Sequence, residues 1–343
     1  MRKRVLGRTG LEVAEVGFGG IPIQRVNAEV TKELLDASLD AGMNFIDSAR
    51  GYTVSEALIG KAIEGKRDKW ILATKSTARD YESMKADVDI SLKNLRTDYI
   101  DLYQFHFVKD ETQLALILGD NGAYKALEEA KAAGKIGHIG ITSHSADLLK
   151  IALEKDCFDT IQFPYNPVET QGEGVFEIAK EKNIGVILMK PIAGGAIRQG
   201  EVSIKYVLNN PNVTVAIPGM DCLDQVDKNA SVARNPLALT QNELDIIKEI
   251  KEELDGGFCR RCNYCAPCTQ GIDIPLQFVV EGYLMRYNLE EWANNRYKGL
   301  EVKADDCVQC GACEVRCPYD LPIGEMMQRV SKNFKEYDVQ LKK

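Results

Sequence analysis

Four residues of different chemical type lie at or near the ends of three short apolar segments. Asp47 ends one segment and Tyr52 lies in the loop after it, while Lys75 and His106 follow the next two. If these segments are strands of a parallel barrel, their carboxyl ends meet at one rim. A lysine paired with an acid lowers the pKa of a nearby tyrosine from its usual value of about 10. The residues therefore predict a site for C=O reduction, with Tyr52 as proton donor, His106 orienting the carbonyl oxygen and a bound cofactor supplying hydride.

A strand-then-helix pattern repeats eight times from residue 16 to residue 233. The predicted strands are short, apolar and rich in β-branched residues, and they cover 16–18, 45–47, 71–74, 100–105, 136–141, 160–163, 185–189 and 213–217. Eight such units in about 220 residues predict an α/β fold, a closed (β/α)8 barrel of the TIM type. The alternative, an open doubly wound sheet, requires a glycine-rich turn that opens a helix after the first strand. Here Gly17-Phe18-Gly19-Gly20 is followed by Ile-Pro and a loop, which is a poor match.

Three further segments complete the predicted organisation of the chain. Residues 1–16 read as a hairpin before the barrel, and Thr240 with Glu243 forms a capping-box pattern at the start of a helix over 240–254. The pair Gly256-Gly257 ends that helix. We therefore predict a barrel domain over 1–255 and a second domain over 256–343, mainly helical between 275 and 300. The loops 107–120 and 192–198 are predicted to border the substrate entrance, with Leu114 among their apolar residues.

Eight of the ten cysteines lie in two runs near the end of the chain. The first run is Cys259, Cys262, Cys265 and Cys268, and the second is Cys307, Cys310, Cys313 and Cys317, which precedes Pro318. Three cysteines at successive two-residue gaps with a later Cys-Pro are typical of 4Fe–4S sites, and in two-cluster ferredoxins the fourth cysteine of each run binds the other cluster. We therefore assign Cys317 to the cluster of the first three cysteines and Cys268 to the cluster of the second run. Two zinc sites of four cysteines each are the alternative, but zinc ligands usually come as separated Cys-x-x-Cys pairs.

The opening Leu6-Gly-Arg-Thr-Gly10, the Gly17–Gly20 segment and the ordered set Asp47, Tyr52, Lys75 and His106 resemble the aldo-keto reductase family over roughly the first 235 residues. The resemblance implies that these four residues are the catalytic tetrad and that the chain reduces carbonyl groups, or oxidises the corresponding alcohols, with NADP or NAD. The helical spacer between the cysteine runs resembles an α-helical ferredoxin domain with two 4Fe–4S clusters.

The resemblance also implies positions that contact the nicotinamide cofactor. They follow the fifth to eighth strands and are Thr142, Ser143, Gln162, Met189, Lys190, Pro218, Gly219, Gln225 and Asn229. Gln225 stands where a basic residue often reads the 2′-phosphate, so Lys228 or Arg234 would have to take that part, and the choice between NAD and NADP stays open. His144 is expected near the pocket rim and His138 in a structural position.

The net charge of −8 argues against a nucleic-acid partner, and no apolar run approaches the roughly 18 residues of a membrane span. The basic N-terminus has no apolar signal segment, so we expect a cytoplasmic protein.

Expected partners are a small carbonyl or alcohol substrate and an electron carrier such as ferredoxin, which Arg260 and Arg261 would dock. The alternative function is a redox- or nucleotide-sensing regulator, in which the barrel binds nucleotide and the clusters are structural or sensory.

Overall fold

A computed structural model describes residues 1–340 of the chain. Its strands are β1 (Lys3–Val5), β2 (Glu12–Ala14), β3 (Phe18–Gly19), β4 (Phe45–Asp47), β5 (Ile71–Ser76), β6 (Ile100–Phe105), β7 (Ile136–Thr142), β8 (Thr160–Pro164), β9 (Gly185–Met189) and β10 (Val215–Ala216). Its α-helices are α1 (Ala28–Asp40), α2 (Ser55–Ala62), α3 (Tyr81–Leu95), α4 (Glu111–Leu118), α5 (Ala123–Ala132), α6 (Ala146–Glu154), α7 (Glu173–Glu181), α8 (Gly200–Leu208), α9 (Leu223–Arg234), α10 (Gln241–Leu254), α11 (Ile274–Met285), α12 (Glu290–Lys298) and α13 (Ile323–Gln340).

Strands β3 to β10 form one parallel sheet in sequence order. Parallel bridges from Val16 to Ala216 and from Gly19 to Gly219 join its first strand to its last and close the barrel. The close approach depends on glycine, because a Cβ on Gly19 would lie 2.7 Å from Ile217 O. The predicted (β/α)8 fold is confirmed, and the Gly17–Gly20 segment acts in barrel closure.

The alternation of side chains along the strands divides the barrel interior into two layers. The layer nearer the amino ends of the strands is apolar. It contains inward residues such as Phe45, Ala73 and Leu102, together with Leu6 and Val13 from the N-terminal hairpin. Two residues further along β4, β5 and β6, the same face carries polar side chains, because the side-chain period of a strand is two. The hairpin thus fills the amino end of the barrel and leaves the polar layer at the carboxyl ends.

Most helices follow the predicted pattern, with one correction in the loop after β6. The predicted capping box at α10 is present, since Thr240 N donates to Glu243 Oε2 at 2.7 Å. Residues 107–120, which we expected as a loop at the entrance, contain helix α4, capped by Asp110. Leu114 is only 3% exposed and belongs to the core between helices and sheet. Its placement at the substrate entrance was therefore wrong, because the local apolar spacing favours a helix.

The chain folds as two compact units. The first contains 1–193 and 198–244, and the second contains 194–197 and 245–343. We call them the barrel unit and the C-terminal unit; the predicted boundary after residue 255 stays a prediction. The C-terminal unit has a core of its own around α11, α12 and α13. Among residues 1–340, none of the helices has the length and apolar character needed to cross a membrane.

Candidate active site and cysteine cavities

A buried ion pair lies at the centre of the polar layer of the barrel. Lys75 Nζ donates to Asp47 Oδ1 and, at 2.8 Å, to the carbonyl oxygen of Ser48. Lys75 is 2% exposed and Asp47 3%. Burial lowers the pKa of Lys75, and the carboxylate of Asp47 opposes that decrease. The structure thus brings two of the four predicted catalytic residues into direct contact.

Tyr52 and His106 lie next to this ion pair. Lys75 Nζ is 5.3 Å from the centroid of the Tyr52 ring, and the rings of Tyr52 and His106 are 5.7 Å apart in an edge-on arrangement. A positive charge near a phenol favours the phenolate, which makes the phenol a better proton donor. All four residues therefore meet at the carboxyl ends of β4, β5 and β6; their catalytic roles stay a prediction.

Two glutamines complete the hydrogen bonding of Asp47. Gln104 Nε2 and Gln162 Nε2 donate to Asp47 Oδ2 at 3.1 and 3.0 Å. Because the carboxylate accepts both amide groups, each glutamine oxygen must face elsewhere. Gln104 was missed in the sequence, although it lies two residues before His106 and so on the same strand face. This spacing of two residues from His106 was the signal in the sequence that could have identified Gln104.

A second buried acid supports the outer face of β5. Glu56, 1% exposed, accepts hydrogen bonds from Thr74 at 2.7 Å and Ser91 at 2.8 Å and forms an ion pair with Arg50 at 2.7 Å. The sequence indicated Glu56 only as part of a helix start. Since Thr74 precedes Lys75, this network holds the strand from the side opposite the ion pair.

The predicted cofactor residues at the carboxyl ends of β7 and β8 differ in which hydrogen-bonding groups remain available to a ligand. Ser143 Oγ donates to Val108 O at 2.7 Å and accepts from Ser145 N, and Thr142 Oγ1 accepts from Phe107 N at 2.8 Å. Among the described residues, Gln162 Oε1 is buried and has no hydrogen-bond partner. An amide group of a nicotinamide would supply the donor that this oxygen needs, so the site fits the cofactor's carboxamide.

The remaining predicted cofactor positions lie near the ends of β9 and β10. Met189 ends β9 and Lys190 follows it, while Pro218 and Gly219 follow β10. A Cβ on Gly219 would lie 2.6 Å from Pro22, so the backbone passes close to the segment after β3. In α9, Gln225 accepts from Asp221 N at 2.8 Å and Asn229 is 9% exposed.

Two basic residues that were considered for the 2′-phosphate are engaged by protein groups. Lys228 pairs with Asp224 at 2.7 Å, and Arg234 donates to Ala41 O at 2.9 Å. The sequence analysis did not identify a third cation near this position, Arg25. It forms an ion pair at 2.7 Å with Asp221, which lies two residues after Gly219. Arg25 lies in the segment after β3, far from Asp221 in the sequence, and no local pattern connects the two residues.

The other histidines occupy supporting positions. The ring of His144 packs edge-on against Phe107 with 4.9 Å between the ring centroids, and His138 Nδ1 is 3.5 Å from Asp159. His144 is therefore at the same rim as His106, whereas His138 lies beside an acid that directly precedes β8.

The eight cysteines of the C-terminal unit line two cavities. One is lined by Cys259, Cys262, Cys265 and Cys317, and the other by Cys268, Cys307, Cys310 and Cys313. This is the grouping predicted from the sequence, in which each run gives its last cysteine to the other set. Among the described residues, no three His, Cys, Asp or Glu side chains converge closely enough to hold a single metal ion. Four thiols line each cavity, and four thiols are the donor set of a 4Fe–4S cluster.

Hydrogen bonds connect the two cysteine runs. Arg316 donates to the carbonyl oxygens of Cys265 and Pro267, both at 2.7 Å, and Thr269 Oγ1 lies 3.4 Å from Cys310 Sγ. Backbone N–H groups also point at sulfur, as from Gln270 to Cys268 at 3.4 Å. Hydrogen bonds to ligand sulfur are one of the means by which a protein adjusts an iron–sulfur centre.

The expectation that Arg260 and Arg261 dock an electron carrier is wrong. They are 4% and 8% exposed. Arg260 stacks over the Tyr319 ring at 4.2 Å and pairs with Asp255, while Arg261 lies 5.3 Å from the Phe258 ring centroid. Both guanidinium groups are used inside the C-terminal unit, which their position beside Cys259 in the sequence did not reveal.

A closed parallel barrel with reactive side chains at the carboxyl ends of its strands defines a (β/α)8 enzyme. The model of the aldo/keto reductase family matches residues 15–202, more than half of the chain, and that of the 4Fe-4S dicluster domain matches residues 258–322. The chain therefore belongs to the aldo/keto reductase family and carries a 4Fe-4S dicluster domain.

Relatives with known names and structures agree with this result. The chain is 27% identical over 303 residues to the oxidoreductase YqkF of Bacillus subtilis, covering 72% of this chain and 96% of that protein. It is 26% identical to the L-galactose dehydrogenase of Arabidopsis thaliana, covering 73% and 94%. The holo form of aldo-keto reductase AKR11C1 from Bacillus halodurans superposes with a TM-score of 0.64 at 26% identity, covering 73% and 96%. The chain is thus an oxidoreductase enzyme.

Proposed function

We propose that this enzyme reduces a carbonyl group of a small molecule, or oxidises the corresponding alcohol, with NADPH or NADH as hydride donor. The observation that carries the proposal is the Asp47–Lys75 ion pair beneath Tyr52, with Lys75 Nζ 5.3 Å from the phenol ring. Bound nicotinamide supplies hydride chemistry that side chains lack. Gln162 Oε1 would accept from its carboxamide, and Met189, Lys190 and Gly219 lie along the rest of the proposed cofactor site.

The protein's own part in the reaction is a proton transfer and its orientation. As the carbonyl carbon gains hydride, its oxygen gains negative charge, and Tyr52 gives that oxygen a proton. The positive charge of Lys75 stabilises the phenolate that remains, while Asp47 keeps Lys75 in place. His106, edge-on to Tyr52, donates to the carbonyl oxygen and directs it to the phenol. The products are the alcohol and the oxidised nicotinamide, so the step balances without the clusters.

The test is Tyr52→Phe, assayed anaerobically with 4-nitrobenzaldehyde and either NADPH or NADH. Removing the phenol oxygen should lower kcat by about 10² or more, while nucleotide binding, followed by fluorescence, is retained. Full activity in Tyr52→Phe would reject the proposed role. Tight nucleotide binding without turnover in the unchanged protein would favour the alternative function as a nucleotide-sensing regulator.

We also propose that the C-terminal unit holds two 4Fe–4S clusters and that the second exchanges single electrons with an external carrier. Cys310 is exposed, and Val308 and Val315 beside it in the sequence are 61% and 90% exposed, whereas Cys265 of the other set is buried. Six acidic and two basic residues lie between 301 and 325, which favours a carrier with a basic face. Electron transfer from the reduced protein to cytochrome c, a basic carrier, should therefore slow when Val315 is replaced by Lys, because the added positive charge repels the carrier; an unchanged rate would reject this face.

A further inference from the structure

The backbone that carries His106 has an unusual conformation. Phe107, the next residue, has φ +54°, in the left-handed region that costs free energy for a residue with a side chain. Such a conformation persists only where surrounding groups hold it. The residues that hold this one are therefore candidates for positioning His106.

One guanidinium group contacts both peptide carbonyls at this point. Arg79 Nη2 donates to His106 O at 2.8 Å and to Phe107 O at 3.1 Å. Gln113 Oε1 in turn accepts from Arg79 Nε at 3.2 Å and from Nη2 at 3.1 Å, which orients the guanidinium plane. Burial disfavours the charged form of the guanidinium and lowers the pKa of Arg79 to about 10. Because Nε and Nη2 both face Gln113, the planar group points Nη2 at the two carbonyls in one orientation, which the freely rotating ammonium group of a lysine would not keep.

The opposite side of the same turn is held by β7. Phe107 N donates to Thr142 Oγ1 at 2.8 Å, and Val108 N donates to Thr142 O at 2.9 Å. Arg79 thus holds the carbonyl side of the turn while Thr142 holds the N–H side. His106 N is fixed separately, by Ser76 O at 2.7 Å.

We propose that Arg79 is the positioning residue that sets the orientation of the His106 imidazole toward Tyr52, acting through the 106–107 backbone. This inference rests on the carbonyl-reducing function proposed above. Arg79 contacts neither Asp47 nor Lys75 in the described hydrogen bonds and ion pairs, so it acts through the backbone of the histidine. Arg79 also holds the backbone of Phe107, whose ring packs against His144 at the same rim.

The chain provides a matched control at the other end of the same two strands. Arg67 donates to Trp70 O at 2.6 Å and to Tyr99 O at 2.7 Å, next to the starts of β5 and β6. Like Arg79, it is a partly buried guanidinium that binds two carbonyls, and it also forms an ion pair with Asp101 at 2.8 Å. Because of this ion pair, Arg67→Lys should cost at least as much stability as Arg79→Lys, yet only Arg79→Lys should change the site.

The first readout does not depend on activity. The chain has three histidines, so ¹⁵N-histidine NMR of the full protein gives three pairs of imidazole nitrogen signals, assigned with single His→Asn variants. We expect Arg79→Lys to shift the His106 signal and Arg67→Lys to leave it unchanged. The second readout is kcat for 4-nitrobenzaldehyde with NADPH, which Arg79→Lys should lower by about 10-fold to 100-fold with an unchanged Kd for NADPH.

Gln113→Leu tests the same inference if Arg79→Lys does not fold. It leaves the cation in place and removes the acceptor that orients it, so the His106 signal should shift in the same direction by less. An unmoved His106 signal in folded Arg79→Lys or Gln113→Leu would overturn the inference. A shifted signal in a protein whose unchanged form reduces no carbonyl would support the positioning role and reject only the proposed function.

Discussion

The barrel site and the C-terminal unit organise their reactive groups in different ways. In the barrel, Asp47 receives hydrogen bonds from Lys75, Gln104 and Gln162, which come from three other strands. In the C-terminal unit, two sets of four thiols face two cavities, with backbone N–H groups directed at Cys259 and Cys268. The barrel site is held by its own charged side chains. The C-terminal unit is arranged around the positions that metal clusters would take.

The difference indicates where each unit obtains its stability. The barrel has a large core between sheet and helices and a second core inside the sheet. The C-terminal unit has a smaller core of its own, and several cysteines pack at its edge. Small domains often need metal binding to fold, because metal affinity is then part of the folding free energy. We therefore expect the two units to respond differently to loss of iron.

The largest expected effect is the response to iron removal. An iron chelator applied anaerobically to the full chain should unfold the C-terminal unit and leave the barrel folded, because only the former would lose bound metal. The chain has one tryptophan in each unit, Trp70 in the barrel and Trp292 in the C-terminal unit, so Trp292→Phe and Trp70→Phe variants report on each unit alone. Fluorescence of Trp292 should move to the unfolded value while that of Trp70 stays. Unchanged Trp292 fluorescence after complete iron loss would mean that the core alone supports this unit.

A smaller effect tests how the two cysteine sets are divided. Cys317→Ala should remove one cluster, about four iron atoms per chain. Because Cys317 lines the same cavity as Cys259, adding Cys259→Ala should cause no further loss, whereas adding Cys307→Ala should remove the remaining iron. Iron and sulfide analysis of the three proteins measures this. If Cys317→Ala and Cys307→Ala together lose only about four irons, each run binds its own cluster and the assignment is wrong.

The smallest effects concern the hydrogen bonds of the barrel site. Asp47→Asn leaves Lys75 buried without its counter-charge, which should lower the free energy of unfolding of the barrel by about 3–5 kcal/mol. Gln104→Leu removes one hydrogen bond to a charged group and should cost about 1.5 kcal/mol. Urea unfolding followed by Trp70 fluorescence in a Trp292→Phe background measures both. Gln277→Leu, at a buried glutamine of the C-terminal unit, is the control and should leave the barrel transition unchanged. Equal losses in all three variants would contradict a separate barrel network.

Much of the architecture could be predicted because the signals are local. Eight repeats of strand and helix predicted the closed barrel, and the capping pair Thr240 and Glu243 predicted the start of α10. Helix α4 was missed because it lies in a segment where a long loop was expected between β6 and α5. Asp110 before a run of apolar residues was a local helix signal that went unused, and the core position of those residues shows its physical basis.

The cofactor contacts were harder to predict than the four catalytic candidates. Thr142 and Ser143 were chosen by resemblance, and the structure shows their hydroxyls bonded to the loop after β6. Whether a hydroxyl is available to a ligand depends on neighbours that lie 35 residues away in the sequence. Arg260 and Arg261 show the same limit, since burial reversed the role that their charge indicated.

By itself, the sequence determined which chemical groups are available and at which end of the barrel they lie. Strand order and the period of two place Asp47, Lys75 and His106 at one rim, and the spacing of the cysteines indicates two iron–sulfur sites. Only the tertiary structure decided that Gln104 and Gln162 converge on Asp47 and that Arg79 holds the turn beyond His106. The physical reason is barrel closure, which brings together strand ends far apart in the chain at distances that no local pattern specifies.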